Sequence, residues 1–207
     1  GWCAAGAPMT SFAGRTAVTA ESGSPLVRCT GLVKSYRTGG MLGGGEEFTA
    51  VDGVNLAVGA GETVALVGES GCGKSTIAFG IVNFLGPNGK ITNGRVLFQG
   101  NELIGRTEKE LKALRGNRIS MVYQDPMQAL NPSVRLGEQM VEVLTFHSSI
   151  SEDDAWQRCG DMLKRVHMPD PEDVMRRYTH QISGGQQQRV VIAMAMLNNP
   201  ALLIMDG

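Results

Sequence analysis

The residues from Gly68 to Ser75, GESGCGKS in one-letter code, combine three glycines with a lysine and two serines. Glycine is a poor residue for the interior of a strand or a helix, so this density of glycine indicates that bare backbone is needed here. Backbone N–H groups that lack neighbouring Cβ atoms can surround phosphate oxygens, and a helix beginning near Lys74 adds its positive end to the same anion. The spacing fits G-x-x-x-x-G-K-[ST] at every fixed position, which predicts a phosphate-binding loop.

A second turn with glycines, Ser183-Gly184-Gly185-Gln186, precedes the helix-like segment QQRVVIAMAML. It predicts a second helix N-terminus built like an anion site. Alone, the turn is equally explained as an ordinary helix N-cap with flexible glycines. Combined with the phosphate loop and with the strand-like LLIMD of Leu202–Asp206, it suggests that two chains share each nucleotide.

The phosphate loop requires a strand before it and a helix after it. ETVALVG, Glu62–Gly68, is a continuous apolar run that is typical of a strand buried on both faces, and STIAFGIVNFL after it has helical length and spacing. NRISMVYQDP (Asn117–Pro126) predicts another strand, and NPALLIMDG (Asn199–Gly207) predicts a buried-type strand. Alternating strands and helices predict an α/β fold with a parallel sheet.

Three further strands lie outside that alternation. Pro25–Tyr36 and Ala50–Val58 flank a glycine-rich loop, and Asn93–Gly100 is bounded by turn residues. Their hairpin-like spacing predicts an antiparallel β side sheet.

Two helices carry start signals. Thr107 and Glu110 have the spacing of a capping box, and Ser151 precedes apolar residues at helical spacing that continue to Val166. Residues 1–24 are small and polar, without the apolar core of a signal peptide, and they predict a disordered lead-in in which Met9 is a candidate start.

Composition excludes several classes of protein. The chain has 207 residues and a formal net charge of -1, which argues against nucleic acid as the main partner. The longest apolar run, Val190–Leu197, is far too short to cross a bilayer, so any membrane association is expected to be peripheral. The scattered cysteines form no CxxC pair and are expected to be reduced thiols: Cys3, Cys29, Cys72 and Cys159.

From about Leu26 to Asp206 the chain resembles the ATP-binding subunit of an ABC transporter. The resemblance rests on four motifs in the family's order: Walker A (Gly68–Ser75), the Q-loop residue Gln124, the signature (Ser183–Gln186) and Walker B (Leu202–Asp206). The signature departs from the usual pattern only in having Ile182 where the family usually has leucine. The resemblance implies a P-loop NTPase core with a parallel sheet, an antiparallel side sheet and a helical lobe.

The resemblance also implies a domain organisation and a subfamily. The ABC ATPase domain is expected over residues 25–207, with a helical lobe at about 130–185 that carries the signature. QDPMQALNP (Gln124–Pro132) and GEQMVEVL (Gly137–Leu144), together with the signature helix, are similar to the oligopeptide/dipeptide importer subfamily. Importers of nickel and other small solutes share these sequence segments, so the segments do not identify the transported solute.

Individual roles follow from the matched motifs. Lys74, Gln124 and Asp206 are expected to be catalytic. The ligands of Mg²⁺ are expected to be Ser75, Gln124 and Asp206. The nucleotide-binding residues are expected to be Tyr36, which stacks on adenine, Gly68, Glu69, Ser70, Gly71, Cys72, Gly73, Lys74, Ser75, Thr76, Gln124, and, toward the ATP of the opposite subunit, Ser183, Gly184, Gly185 and Gln186.

Other notable side chains are assigned no chemistry. The family's switch histidine would follow Walker B, so His147, His167 and His180 are interpreted as structural or surface residues. Trp156 lies within an amphipathic segment and is expected to pack.

The resemblance implies an importer ATPase that works with several partners. ATP binding would close a head-to-tail dimer, as a homodimer or a heterodimer, and hydrolysis would reopen it. Integral membrane permease subunits would follow that motion at the cytoplasmic face, and a solute-binding protein would act with them outside the cell.

Two other classes of function compete with this interpretation. A soluble ABC-type ATPase acting on DNA or translation factors would usually carry coiled-coil insertions or duplicated cassettes, and neither is visible. A P-loop small-molecule kinase would leave Ser183–Gln186 without a role.

The sequence departs most from the family after Asp206, where Gly207 stands in place of a glutamate that polarises water. Such groups contribute roughly 10²–10⁴-fold to rate. We therefore expect the 207-residue chain to be a fragment that binds Mg-ATP weakly if it folds, hydrolyses it negligibly, and exposes an apolar sheet edge.

Overall fold

The computed structural model describes residues 24–37, 46–69, 71–86 and 88–206. They fall into two compact units, one up to Arg106 and one from Thr107 onward. The predicted lead-in, including Met9, lies outside the described residues apart from Ser24, and so do Ser70 and Gly207.

The first unit is built on a four-stranded antiparallel sheet in the order β2-β1-β3-β4. The strands are β1 (Val27–Arg37), β2 (Glu47–Val58), β3 (Gly89–Phe98) and β4 (Asn101–Glu102). The predicted side sheet is confirmed, and β3 begins four residues earlier than the sequence suggested.

The central strand of this sheet alternates as a strand with one buried face does. Val27 and Cys29 are buried while the intervening Arg28 is exposed. Where β1 bulges, β3 comes very close to it: a Cβ atom at Gly94 would lie 2.5 Å from the carbonyl oxygen of Gly31. Glycine at position 94 is therefore required by the approach of the two backbones.

Helix α1 (Lys74–Ile81) packs on this sheet through Ile77, Ala78 and Ile81. It is shorter than the predicted helix, because the chain turns after Ile81 and Asn83 adopts a left-handed φ of +52°. A Cβ atom at Gly80 would lie 2.8 Å from Cδ2 of Leu32, so glycine lets the helix lie directly on β1.

The segment Glu62–Gly68 corrects the sequence interpretation, because it does not form a strand. Leu66 is 40% exposed and Val67 is 81% exposed, whereas the pattern predicted burial on both faces. A strand is held by hydrogen bonds to its neighbours, and no strand within the described ranges pairs with this segment. The apolar residues of this segment therefore indicated that it is able to form a buried strand, but they did not indicate which strand would pair with it.

The second unit contains two parallel strands, β5 (Ile119–Val122) and β6 (Leu202–Met205). They confirm the predicted parallel pairing, with Ile119 opposite Leu202 and Val122 opposite Met205. The prediction that β6 is of the buried type was wrong, since its residues are only partly buried and Met205 is 59% exposed. Within the described residues β6 has one neighbouring strand, so its other edge is not covered by a ladder.

Within the described residues, the second unit also contains five α-helices: α2 (Glu108–Leu114), α3 (Leu136–His147), α4 (Glu152–Arg165), α5 (Pro171–Arg176) and α6 (Gly184–Met196). The predicted capping box between Thr107 and Glu110 is confirmed at the start of α2. Ser151 caps α4 as predicted, accepting a hydrogen bond from the Asp154 N–H at 3.2 Å.

The core of this unit lies among α3, α4, α5 and α6. Its wholly buried residues include Leu136, Met140, Leu144, Ala155, Cys159, Leu163, Met175, Val190, Ala193 and Leu197. Trp156 packs as predicted: a Cβ atom at Gly137 would lie 2.6 Å from its indole ring, so the ring rests directly on the backbone of α3. Within the described parts of the chain, no helix has the length and apolar character needed to cross a membrane.

Candidate nucleotide-binding site

The loop before α1 has the backbone that the phosphate-binding pattern predicts. Gly71 and Gly73 have φ values of +83° and +92°, a conformation that favours glycine. Gly73 occupies the N-cap position of α1 but has no side chain with which to cap it. The first N–H groups of α1 are thus left without a capping side chain, and they point toward the loop.

Two close approaches fix the shape of this loop. A Cβ atom at Gly68 would lie 2.6 Å from Sγ of Cys72, and one at Gly73 would lie 3.1 Å from the carbonyl oxygen of Ala50. The N–H of Cys72 also donates to the carbonyl oxygen of Glu69 at 3.3 Å. Glycine at position 73 is therefore required by the fold of the loop itself, while a Cβ atom at position 68 would need the Cys72 side chain to move.

Lys74 reaches back across the loop that precedes it. Its ammonium donates to the carbonyl oxygens of Gly68 at 2.9 Å and Glu69 at 2.8 Å, and it lies 3.6 Å from Sγ of Cys72. The positive charge is therefore held inside the loop, where phosphate oxygens would be stronger acceptors than these carbonyl groups. Ser75 follows in the first turn of α1 and is half-buried, as is Thr76.

Tyr36 belongs to the same unit as the phosphate loop. Gly73 lies against Ala50 and Val51 of β2, and β2 pairs with β1 so that Val51 is opposite Lys34 and Phe48 is opposite Tyr36. The half-buried Tyr36 ring thus stands one strand away from the loop and near the end of β1.

Gln124 and Asp206 lie after neighbouring strands at the same edge of the second unit's sheet. Each follows one of the two parallel strands, and the Asp206 N–H donates to the carbonyl oxygen of Val122 at 2.9 Å. The carboxyl ends of neighbouring parallel strands are the usual place for a ligand in an α/β sheet. The amide and carboxylate oxygens at this edge, like the hydroxyl of Ser75, are of the hard type that Mg²⁺ prefers.

The turn Ser183–Gln186 caps helix α6. The Gln186 N–H donates to Oγ of Ser183 at 3.4 Å, and the Ser183 N–H donates to Oε1 of Gln186 at 3.0 Å. This is a complete capping box. The sequence analysis considered an N-cap at this turn but did not predict the reciprocal contact of Gln186, although the Ser-x-x-Gln spacing before an apolar helix is its known signal.

The glycines inside this turn have no steric reason to be glycines. A Cβ atom at Gly184 or Gly185 would meet nothing within 4 Å, and both residues are exposed and helical. Ile182, the departure from the usual signature, is buried in the core of the second unit, where an apolar exchange is tolerated. At the N-terminus of α6, the preceding Ile182 is therefore packed in the core, while Gly184 and Gly185 leave the backbone of the first turn exposed to solvent.

The expected site residues thus form two groups, each within one unit. Tyr36 and the described residues of Gly68–Thr76 lie in the first unit, while Gln124, Ser183–Gln186 and Asp206 lie in the second. Lys34, which the sequence did not single out, is wholly buried with its ammonium 5.3 Å from the centre of the Tyr36 ring.

The thiols and the acidic residues add no further chemistry to this site. Burial raises the pKa of Cys29 to about 11 and that of Cys159 to about 12, so both stay protonated at neutral pH. In the described part of the chain, no three His, Cys, Asp or Glu side chains are grouped to hold a metal ion.

Comparison with known proteins identifies the family. The family described as ABC transporter matches residues 51–207, and the chain belongs to it. The oligopeptide transport ATP-binding protein OppD of Salmonella typhimurium is 47% identical over 160 residues, covering 77% of this chain and 48% of OppD. The dipeptide transport ATP-binding protein DppD of Bacillus subtilis is 45% identical over 163 residues, covering 78% of this chain and 49% of DppD.

Solved structures give the same fold. The dimeric ATP-binding cassette MJ0796, bound to ADP and phosphate, is 30% identical with a TM-score of 0.73, covering 86% of this chain and 72% of that one. A second dimeric structure of MJ0796, described as a bacterial ABC transporter cassette, has a TM-score of 0.74 at 29% identity over the same shares. The predicted ABC ATPase fold is confirmed. The chain spans about half the length of the curated relatives it matches.

Proposed function

We propose that this chain is the ATP-binding, energy-coupling part of an importer for small peptides. The observation that carries the proposal is the loop from Gly68 to Gly73, whose glycines bend bare backbone around the ammonium of Lys74 at the uncapped start of α1. Such a loop suits a chain of phosphates. The oligopeptide and dipeptide transport proteins among its relatives supply the class of solute.

The roles within one nucleotide site follow from the side chains. Lys74 exchanges its carbonyl acceptors for oxygens of the β- and γ-phosphates. The backbone around the phosphates is supplied by the rest of the loop and the first turn of α1, namely Gly68, Glu69, Ser70, Gly71, Cys72, Gly73 and Thr76. Ser75, Gln124 and Asp206 hold Mg²⁺, which neutralises charge on the phosphates. Tyr36 stacks on the adenine ring.

The second part of the site comes from another subunit. Ser183, Gly185 and Gln186 close over ATP held by the partner, because the N-terminus of α6 offers donors and the glycines leave it accessible. The dimeric form of the cassette MJ0796 supports this arrangement. Binding of ATP closes the dimer, and hydrolysis reopens it.

The loop after Gln124 is proposed to meet the permease at the cytoplasmic face of the membrane. Met127 in this loop is 52% exposed and Tyr123 before it is 40% exposed, so both side chains are accessible to a partner. An apolar contact there would pass the motion of the dimer to the membrane subunits. The domain is proposed to extend over residues 25–207, with the helical lobe at about 130–185.

Three measurements test the proposed function. Calorimetry should detect Mg-ATP binding by the complete protein, and product analysis should find ADP and phosphate rather than a phosphorylated small molecule. A strain that lacks the gene should lose uptake of a labelled tripeptide and regain it on complementation. Uptake of nickel in place of the peptide would overturn the assignment of the solute while keeping that of the ATPase.

Turnover by the 207-residue chain is a separate prediction. With Gly207 where the family has a glutamate, the chain should hydrolyse ATP at a rate roughly 10²–10⁴-fold below that of its Gly207→Glu variant. A steady-state ATPase assay of the two proteins decides. Equal turnover would contradict the prediction.

A further inference from the structure

Lys34 is a lysine with no exposed surface, on the central strand of the first unit. An ammonium group taken out of water costs several kcal/mol unless its charge is compensated. A leucine or methionine would fill the same space without that cost, so the charge needs an explanation beyond packing.

The surroundings of the ammonium are aromatic rings and one carbonyl group. Nζ of Lys34 lies 5.3 Å from the centre of the Tyr36 ring and 5.7 Å from that of Phe79, and it donates to the carbonyl oxygen of Phe84 at 3.0 Å. No carboxylate among the described residues forms an ion pair with it. The charge is thus held by one carbonyl oxygen and by two ring faces, and the contact with a ring depends on where that ring lies.

These contacts connect the end of β1 to the helix that begins at the phosphate loop. Tyr36 lies on β1, while Phe79 lies in α1 and Phe84 follows it. The Tyr36 ring also lies close to the backbone of β3, since a Cβ atom at Gly89 would lie 3.0 Å from Cε1 of Tyr36. The ring is therefore held between the ammonium of Lys34 and the backbone of β3.

We infer that Lys34 is a positioning residue for nucleotide binding, which fixes the Tyr36 ring relative to α1 so that it meets the adenine of ATP bound at the phosphate loop. The inference rests on the proposed function. Lys34 itself touches neither phosphate nor base. Its ammonium attracts one face of the ring, and the half-buried ring presents its remaining surface to the ligand.

The test compares two ligands, Mg-ATP and inorganic tripolyphosphate with Mg²⁺, by calorimetry on the complete protein. Lys34→Met keeps the length of the side chain and removes its charge. This substitution should lower the affinity for ATP about tenfold, which corresponds to the loss of a desolvated cation–π contact together with a stacked ring. The affinity for tripolyphosphate should stay within about twofold of the parent value. A parallel loss for both ligands, or no loss for either, would overturn the inference.

A double-mutant cycle tests whether Lys34 acts through Tyr36. In a Tyr36→Leu background, Lys34→Met should no longer change the ratio of ATP to tripolyphosphate affinity. If the two effects multiply instead, or if Tyr36→Leu leaves the ratio unchanged, the inference is wrong. If the parent binds neither ligand, the proposed function itself fails.

Two more variants separate charge from packing. Leu32→Met, a wholly buried change two residues away on β1, should leave both affinities unchanged. Lys34→Arg retains a cation and should keep ATP binding within about threefold of the parent. If Lys34→Met does not fold, Lys34→Arg decides, because a tenfold loss of ATP affinity there would contradict the role of the cation.

Discussion

Helices α1 and α6 both begin at glycines, yet the two starts are built differently. At α1 the glycines have left-handed φ values or touch neighbouring atoms, and no side chain caps the helix. At α6 the glycines are helical with open space around them, and Ser183 and Gln186 cap the helix completely.

The difference separates two uses of glycine. At the start of α1 the fold of the loop requires glycine, since larger residues would be strained there. At the start of α6 the fold does not require it, and each of Gly184 and Gly185 costs the helix about 0.5–1 kcal/mol relative to alanine. Under the proposed function, the ATP of the partner subunit that approaches this turn gives a reason for glycine at those two positions.

The largest effect should come from the charge at the first helix start. Lys74→Ala removes the cation from the phosphate loop and should weaken Mg-ATP binding about 100-fold or more, since each hydrogen bond to a charged group contributes roughly 1.5–3 kcal/mol. Calorimetry measures the effect. Lys109→Ala, which removes an exposed lysine from α2, is the control and should bind as the parent does. Equal binding by the Lys74 variant would remove the basis for the loop assignment.

A bulky cation at the second helix start should separate binding from assembly. Ser183→Arg should leave ATP affinity within about twofold and abolish the ATP-dependent dimer, because the new side chain would occupy the anion site of the partner. Size-exclusion chromatography with a non-hydrolysable ATP analogue measures the dimer. Gln157→Arg makes the same change at an exposed position of α4 and should dimerise normally. A dimer that forms equally well with Ser183→Arg would contradict the signature assignment.

A matched pair of glycine substitutions tests the comparison directly. Gly73→Ala should lower the free energy of unfolding by about 1–2 kcal/mol, because alanine resists a φ of +92° and its Cβ would crowd Ala50. Gly185→Ala should raise it by up to about 1 kcal/mol. Denaturant titration gives both values, and changes of the same sign would show that the two starts do not differ as described.

The smallest effect should come from a helix start with no functional role. Thr107→Ala removes the capping box of α2 and should cost about 1 kcal/mol of stability. Neither ATP affinity nor dimer formation should change. A loss of ATP affinity or of dimer formation would mean that a helix start outside the site also affects function. The functional effects of changes at the starts of α1 and α6 would then not be specific to those two helices.

The sequence predicted features whose causes are local. The loop Gly68–Ser75 and the capping box at Thr107 depend on residues a few positions apart, and both are present as expected. The strand over Glu62–Gly68 was predicted wrongly, because pairing depends on distant segments that an apolar run does not specify. Lys34 gave no signal either, since Phe79 and Phe84, which help to hold its ammonium, come from a distant part of the chain.

The contact between Trp156 and the backbone of α3 makes the second unit visible to fluorescence. The chain has two tryptophans, Trp2 and Trp156, so Trp2→Phe leaves a single indole that rests on Gly137. Its emission should shift to longer wavelength when α3 and α4 separate and the ring becomes hydrated. Circular dichroism responds to both units at once, so a difference between the two unfolding curves would measure how independently the units melt.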